Sequence, residues 1–359
     1  MTATYQASAA PSPGAVKVAG PVEHWCRDLV SCLQSTFATV LAHAGHDPLE
    51  VLGAHWEFRY KPGDVRTEEF YYPCAVAGDL AASLAPHYPV SSSWHQPAGA
   101  GTEDPVAAMD EIIAVLDEDH LVIAAVDNYY LPFRPAFGDV HAAHLIVVFG
   151  VDLELGLIYV SDAMPPAFRG SIPVADFVRA WSSGNPADVQ DVFFSDARID
   201  RRFMTVKIEE PFPVLDRAML RTVLASNLAA FRAGSGLDWT GLDGLGRFLA
   251  ALLDACASGD GRLLAETYPF GWGMQAQASL HAELLRRFGT EPGQPATCLR
   301  EAARLVEATA NAWTGLRMTA AHGLADPAAC ARDLTRHAAA LRHRYDLALA
   351  SLDEAVELM

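Results

Sequence analysis

The sequence predicts an α+β domain, a leading helix packed on a mostly antiparallel sheet, followed by an all-helical domain. Three observations carry that prediction. Between Pro21 and Pro213, short apolar and β-branched runs alternate with turn residues behind one amphipathic stretch. After Pro211-Phe-Pro213 the texture changes to Ala, Leu and Arg, with apolar residues recurring at three and four. The chain has 359 residues, 51% of them apolar, more than one ordinary core takes up.

Residues 1–20 are rich in Ala, Ser, Pro and Gly and lack the basic start and apolar core of a signal peptide, so a disordered tail is expected there. The first domain then covers 21–213. It opens with a helix from Cys32, whose Leu33, Phe37, Val40, Leu41 and Ala44 are spaced as a buried face and whose C-cap is Gly45. Strand-like runs follow at 53–60, 121–130, 144–151, 156–162 and 202–209. The polar, Gly-rich stretch from Val90 to Pro105 reads as a long loop. The helical domain, 214–359, is expected to hold about five helices. Its breaks fall near Gly234 to Gly236, Gly259 to Gly261, Gly289 to Gln294 and Gly323 to Pro327. Two of its buried faces are Leu220, Val223, Leu224, Leu228 and Phe231, and Leu334, Ala338, Leu341, Tyr345, Ala348 and Leu352.

Charge and cysteine usage narrow the function. With 26 basic against 44 acidic residues the formal charge is −18, which disfavours nucleic acid and anionic membrane as partners. No run reaches the roughly 18 apolar residues of a membrane span. The six cysteines include no C-x-x-C pair, as expected of reduced thiols in a cytoplasmic protein. Asp139, His141 and His144 lack the further ligands of a metal centre, so no metal is expected.

The chemistry lies in Cys32, His144 and Asp162. A thiol at a helix N-terminus is favoured as thiolate by unpaired N–H groups and the macrodipole. His144 and Asp162 stand at equal distances from position 153, inside a turn-like stretch from Asp152 to Gly156. Residues equidistant from a hairpin turn lie opposite each other with Cβ atoms about 5 Å apart. A lone cysteine on an apolar helix is usually a core residue. The three together form a cysteine-nucleophile site: Cys32 attacks, His144 carries the proton and Asp162 orients the ring. The backbone N–H of Cys32 supplies one oxyanion donor; the second is open among His24, Trp25 and Asn128. Trp56, Asn128, Tyr129, Tyr130 and Phe133 are candidates to line a substrate groove.

Cys32 with its run to Gly45-His-Asp-Pro48, Leu52-Gly-Ala-His-Trp-Glu-Phe58, Val126-Asp-Asn-Tyr-Tyr-Leu-Pro132, His144-Leu-Ile-Val-Val-Phe-Gly-Val-Asp152 and Val160-Ser-Asp162 together resemble the N-terminal domain of the butirosin biosynthesis protein H family. The resemblance covers roughly residues 21 to 185. It implies a papain-like cysteine fold used for acyl transfer. An acyl or peptidyl group would leave the phosphopantetheine thioester of a carrier protein, rest on Cys32 and pass to a small-molecule amine in antibiotic or other natural-product assembly. The protein itself would bind no cofactor. The family's nucleophile, base and orienting acid map onto Cys32, His144 and Asp162. One departure stands out: papain-like enzymes commonly carry a Gln several residues before the nucleophile, and residues 23–31 contain none. Hydrolysis or cyclisation on the same triad, and a carrier-binding module without turnover, are the competing readings. Arg198, Arg201, Arg202, Arg286 and Arg287 are candidates for a cationic patch facing an acidic carrier. A homodimer is compatible with the sequence.

Overall fold

The computed structural model describes residues 12–62, 79–97, 109–234, 236, 238–290 and 295–359. The chain divides into two units that are discontinuous in sequence: Met1–Arg27, Cys32–His46 and Ser91–Lys207 make the first, and Asp28–Ser31, Asp47–Val90 and Ile208–Met359 the second. Among the described residues, no helix is long and apolar enough to cross a membrane.

The first unit is α+β. Its strands are β1 (Val16–Lys17), β3 (Val90–His95), β4 (Val122–Asp127), β5 (Ala143–Asp152), β6 (Leu157–Asp162), β7 (Phe168–Pro173) and β8 (Phe203–Ile208), while β2 (Arg59–Tyr60) belongs to the second unit. The sheet order is β3-β8-β4-β5-β6-β7, with β1 pairing β5 as well. Neighbours whose register is resolved run antiparallel. The central strand β4, Val-Ile-Ala-Ala-Val-Asp, is buried at every position, as an apolar run covered on both faces must be. Helix α1 (Cys32–His43) packs on β5.

Helix α1 begins at Cys32 as the sequence predicts, and its end is the expected Gly45 cap. Gly45 has φ +85°, its N–H donates to Ala42 O at 3.0 Å, and the His46 N–H donates to Leu41 O at 3.0 Å. This pair of bonds is a Schellman cap. Burial differs from the expected single face. Every residue from Leu33 to Leu41 is buried, including Gln34, Ser35, Thr36 and Thr39, and Ala44 lies exposed beyond the last turn. The hydroxyls are kept satisfied inside: Ser35 donates to Trp25 O, Thr36 to Cys32 O and Thr39 to Ser35 O.

Several elements depart from the sequence expectation. Val16–Lys17, within the expected tail, pair with Val151 and Gly150 of β5, beyond the stretch of β5 that pairs with β4. Val90–His95, within the expected loop, form edge strand β3; residues 98–105 of that loop lie outside the described residues. Residues 53–54 end a helix, α2 (Pro48–Ala54), rather than begin a strand, because Asp47 caps Leu49 N and Pro48 starts the first turn. Helices α3 (Leu80–Leu84), α4 (Asp110–Asp117) and α5 (Val174–Trp181) were not separately expected.

The second unit contains α2, α3, β2, β9 (Trp239–Thr240) and five long helices among the described residues. These are α6 (Arg217–Arg232), α7 (Gly241–Ser258), α8 (Gly261–Phe288), α9 (Ala296–Gly323) and α10 (Pro327–Leu358). Their ends coincide with the predicted Gly and Pro breaks, and both predicted apolar faces are buried. Residues 47–90, placed with the first domain by composition, fall in this unit because α2 packs on α8. Its core is aromatic: Phe58, Tyr60, Phe248, Phe270 and Trp313 pack together.

Candidate active site

Three elements of the first unit bring the predicted residues together. Cys32 is the first residue of α1 and is half-exposed. As an N-terminal residue of a helix its N–H has no intrahelical acceptor, so sulfur and one donor sit side by side. His144 lies at the start of β5, paired with Val126 of β4. Asp162 is the last residue of β6.

The hydrogen bond between His144 Nε2 and Asp162 Oδ2 is 2.9 Å long, with the two residues 5% and 1% exposed. Burial alone would push the imidazole pKa down from its ordinary 6.5. The Asp162 carboxylate, followed by a hydrogen bond and charge from Cys32, overrides that and raises it to about 9. The thiol therefore acts directly on the ring whose far nitrogen is held by Asp162. Burial likewise pushes Asp162 up, but the His144 charge and hydrogen bond, then Arg134, hold it below its ordinary 3.8.

The register that achieves this is not the one predicted. The hairpin pairs Val147 with Ser161 and Val148 with Val160, so Asp162 falls opposite Ile146, and His144 is its diagonal neighbour on the same face. Nearer the turn the register is different: Gly150 pairs with Tyr159, Val151 with Ile158 and Asp152 with Leu157. Carried forward, that register would set Asp162 opposite Val147, on the face away from His144. A one-residue bulge at Phe149 restores the shared face.

Arg134 is a member of the site that the sequence reading missed. Its Nη1 donates to Asp162 Oδ2 and to Met164 O, both at 3.1 Å, while the Met164 N–H donates to Asp162 Oδ1 at 3.0 Å. Asp162 is thus fixed from three sides. A second carboxylate, Asp127 at the end of β4, is fully buried and accepts from Ser183 Oγ (2.6 Å), the Tyr129 N–H (3.0 Å) and the Ala142 N–H (3.2 Å). It also holds His141 Nδ1 at 2.7 Å, and the His141 ring stacks on Tyr129. This network anchors the short turn Asn128–Tyr130 and the segment leading into His144. Among the described residues, no group of three or more His, Cys, Asp or Glu is placed to hold a metal.

The remaining candidates separate. Asn128, Tyr129 and Tyr130 form a half-exposed 3-10 turn directly after β4, at the sheet end that carries His144, and half-exposed Phe133 stacks on Phe168. Trp56 lines no groove. It is fully buried in the second unit against Phe231, His281 and Tyr345, so packing consumes its surface. Of the proposed second oxyanion donors, His24 Nε2 is engaged with Phe168 O at 2.9 Å, the Trp25 ring lies under Arg27, and Asn128 Oδ1 is buried without a partner. Of the arginines proposed to face a carrier, Arg198, Arg201 and Arg202 lie in the first unit and Arg286 and Arg287 in the second. Arg202 is buried, and Arg198, Arg286 and Arg287 are ion-paired with Asp200, Glu307 and Asp47 with Glu50.

Residues 31–163 match the family model described as butirosin biosynthesis protein H, N-terminal. The family resemblance read from the sequence is thereby shown over that segment. The matched butirosin-H span opens one residue before Cys32 and closes one residue after Asp162, so it contains the whole site, Arg134 included. No curated protein matches the chain.

Proposed function

We propose that this protein is a cysteine-dependent acyltransferase whose first unit is papain-like. It takes an acyl or peptidyl group from the phosphopantetheine thioester of a carrier protein onto Cys32 and delivers it to an amine in antibiotic or related natural-product biosynthesis. The observation that supports this reading most is the His144 ring, buried between a half-exposed thiol at a helix start and a triply held carboxylate. The butirosin-H match supports the biosynthetic setting.

In this reading the Cys32 proton resides on His144, giving a thiolate and an imidazolium. The thiolate attacks the thioester carbonyl, and the developing oxyanion meets the Cys32 N–H. The carrier's thiolate leaves and takes the proton from His144, forming acyl-Cys32 and a carrier thiol. The amine then attacks the acyl-enzyme and loses a proton to His144; the Cys32 thiolate departs as the amide forms. One thioester and one amine become one amide and one thiol. Thioester exchange onto another thiol is nearly isoenergetic, which suits cysteine better than serine as the resting place.

Incubation with an acyl-carrier thioester is expected to add the acyl mass to the intact protein at Cys32, and to yield amide once an amine is supplied. Cys32→Ala is expected to abolish both. An adduct and turnover that survive this substitution would overturn the assignment. Free acid as the sole product would make the enzyme a hydrolase, a cyclic product a cyclase, and carrier binding without any adduct a non-catalytic module.

A further inference from the structure

The end of the sheet built from β1, β5, β6 and β7 carries a hollow that the chemistry above does not use. Lys17, Gly150, Tyr159 and Ser171 form one cross-strand row: Lys17 pairs with Gly150, Gly150 with Tyr159, and Tyr159 with Ser171. Gly150 lets the Lys17 stem lie directly across that row. A Cβ there would collide with Lys17 Cγ and stand 2.9 Å from Val16 O. Beside this row lies a cavity of about 350 Å³, lined among others by Lys17, Val22, Phe149, Tyr159, Arg169 and Ser171. Tyr159 and Ser161 alternate with Asp162 along β6, so the hollow lies on the sheet face opposite His144.

Its charge runs against that of the chain. The lining holds two cations and no acid, in a protein with 26 basic and 44 acidic residues. Lys17 Nζ rests 3.5 Å from the centre of the Tyr159 ring, and burial pushes its ammonium pKa below the ordinary 10.5. Asp152 is the acid that acts on Lys17, but its oxygens are taken by the Ser12 N–H and hydroxyl and by the Leu155 N–H. Arg169 spends Nη1 on Val22 O at 2.8 Å, which leaves further guanidinium donors.

Two hydroxyls sharpen the picture. Tyr159 Oη and Ser161 Oγ are buried without a hydrogen-bond partner, on residues that are each 2% exposed. They project from the same face of β6, and Ser161 pairs across to Arg169. Burial raises the Tyr159 pKa above its ordinary 10, so the phenol stays protonated and is a donor. Buried polar groups in native proteins are hydrogen-bonded, and an exception calls for a partner.

We propose that this hollow binds a small aromatic organic anion, its carboxylate or phosphate between Lys17 and Arg169 and its flat body against the Phe149 and Tyr159 rings. The anion draws the Lys17 ammonium off the Tyr159 ring, which opens the phenol hydroxyl to the ligand. Charge-assisted hydrogen bonds from both cations then fix the anionic end, and the rings supply the apolar contact.

Calorimetric titration of the full chain with benzoate, phenyl phosphate and neutral benzyl alcohol tests this. Saturable binding of one or both anions, without binding of benzyl alcohol, is expected, and the preferred anion tells carboxylate from phosphate. Lys17→Gln and Arg169→Gln, both at exposed side chains, are each expected to weaken binding about tenfold or more with the fold unchanged by circular dichroism. Tyr159→Phe is expected to weaken binding severalfold while leaving the melting temperature unchanged or higher, since it removes an unpartnered hydroxyl. Absence of saturable binding of either anion, equal binding of benzyl alcohol, or full affinity in Lys17→Gln would overturn the proposal. None of these readouts involves Cys32, so the anion site and the acyl-transfer reading stand or fall separately.

Discussion

Asp162 carries more of the site than its place at a strand end suggests. One of its oxygens serves both His144 and Arg134, and the other is held by the Met164 N–H. If Asp162 sets the ring's charge, Asp162→Asn should drop the His144 pKa well below its value of about 9, because burial then acts with only Cys32 to oppose it. Following the ring protons of His144 by NMR across the alkaline range reads this directly; an unshifted titration would mean that Asp162 is not the cause. Arg134 acts through Asp162. Arg134→Leu leaves a buried carboxylate short of one cation, a change that costs roughly 3–5 kcal/mol when a buried pair is broken. Chemical denaturation should register that loss, and turnover should fall through kcat more than through KM. Arg134→Lys, which keeps the charge, is expected to recover part of both.

At the scale of elements, the bulge at Phe149 absorbs the one residue that would otherwise put Asp162 on the face away from His144. Deleting Phe149 removes the extra residue but leaves Gly150 opposite Tyr159, Val148 opposite Val160 and Asp162 opposite Ile146, so the deletion variant is expected to keep Cys32 acylation. A folded variant that loses acylation would show that the local bend of the bulge, and not the residue count alone, holds Asp162 beside His144. The cap of α1 permits a milder test: Gly45 sits at φ +85°, where a Cβ costs about 1–2 kcal/mol. Gly45→Ala should therefore lower the thermal midpoint by a corresponding amount. These elements also show what was legible in the sequence. The start of α1, its Gly45 cap, the strands bearing His144 and Asp162, and the Gly and Pro breaks between the long helices follow from local propensity and periodicity, which act within a few residues. The bulge does not, because a one-residue slip leaves composition and alternation almost unchanged. Strand β3 was hidden because Ser-Ser-Ser-Trp at a sheet edge is as polar as a loop. Arg134 was hidden because only the tertiary fold brings a loop guanidinium to a carboxylate 28 residues away. Trp56 was misassigned since an aromatic residue carries no local sign of whether it faces a groove or a core.

At the scale of the whole molecule, the two units carry buried titratable groups of opposite sense, and their stabilities should respond differently to pH. In the first unit His144 is raised from 6.5 to about 9, so its contribution is fully present below 6.5 and is lost as pH rises through about 9. Asp162, held below 3.8, contributes above that value and loses its contribution only as pH falls through its depressed pKa. In the second unit His281 is fully buried, with Nδ1 donating to Gly53 O at 2.7 Å. Burial pushes its pKa down from 6.5 to about 4. The unfolded chain binds that proton first, so stability is lost as pH falls from 6.5 toward about 4. Glu57 continues the loss. Burial would raise it, but the hydrogen bond and charge of His55, and then Arg59, outweigh that and hold it at about 2, so its contribution disappears as pH falls from 4.5 through about 2. Peptide-resolved hydrogen exchange on the full chain, expressed as protection factors, should show α8 around His281 weakening between 6.5 and about 4 while β5 and β6 hold. On the alkaline side the order should reverse, with β5 and β6 weakening as pH passes about 9. His281→Gln removes the acid-side titration and should flatten the α8 profile; an α8 profile that still falls between 6.5 and about 4 in this variant would assign the acid sensitivity to another group.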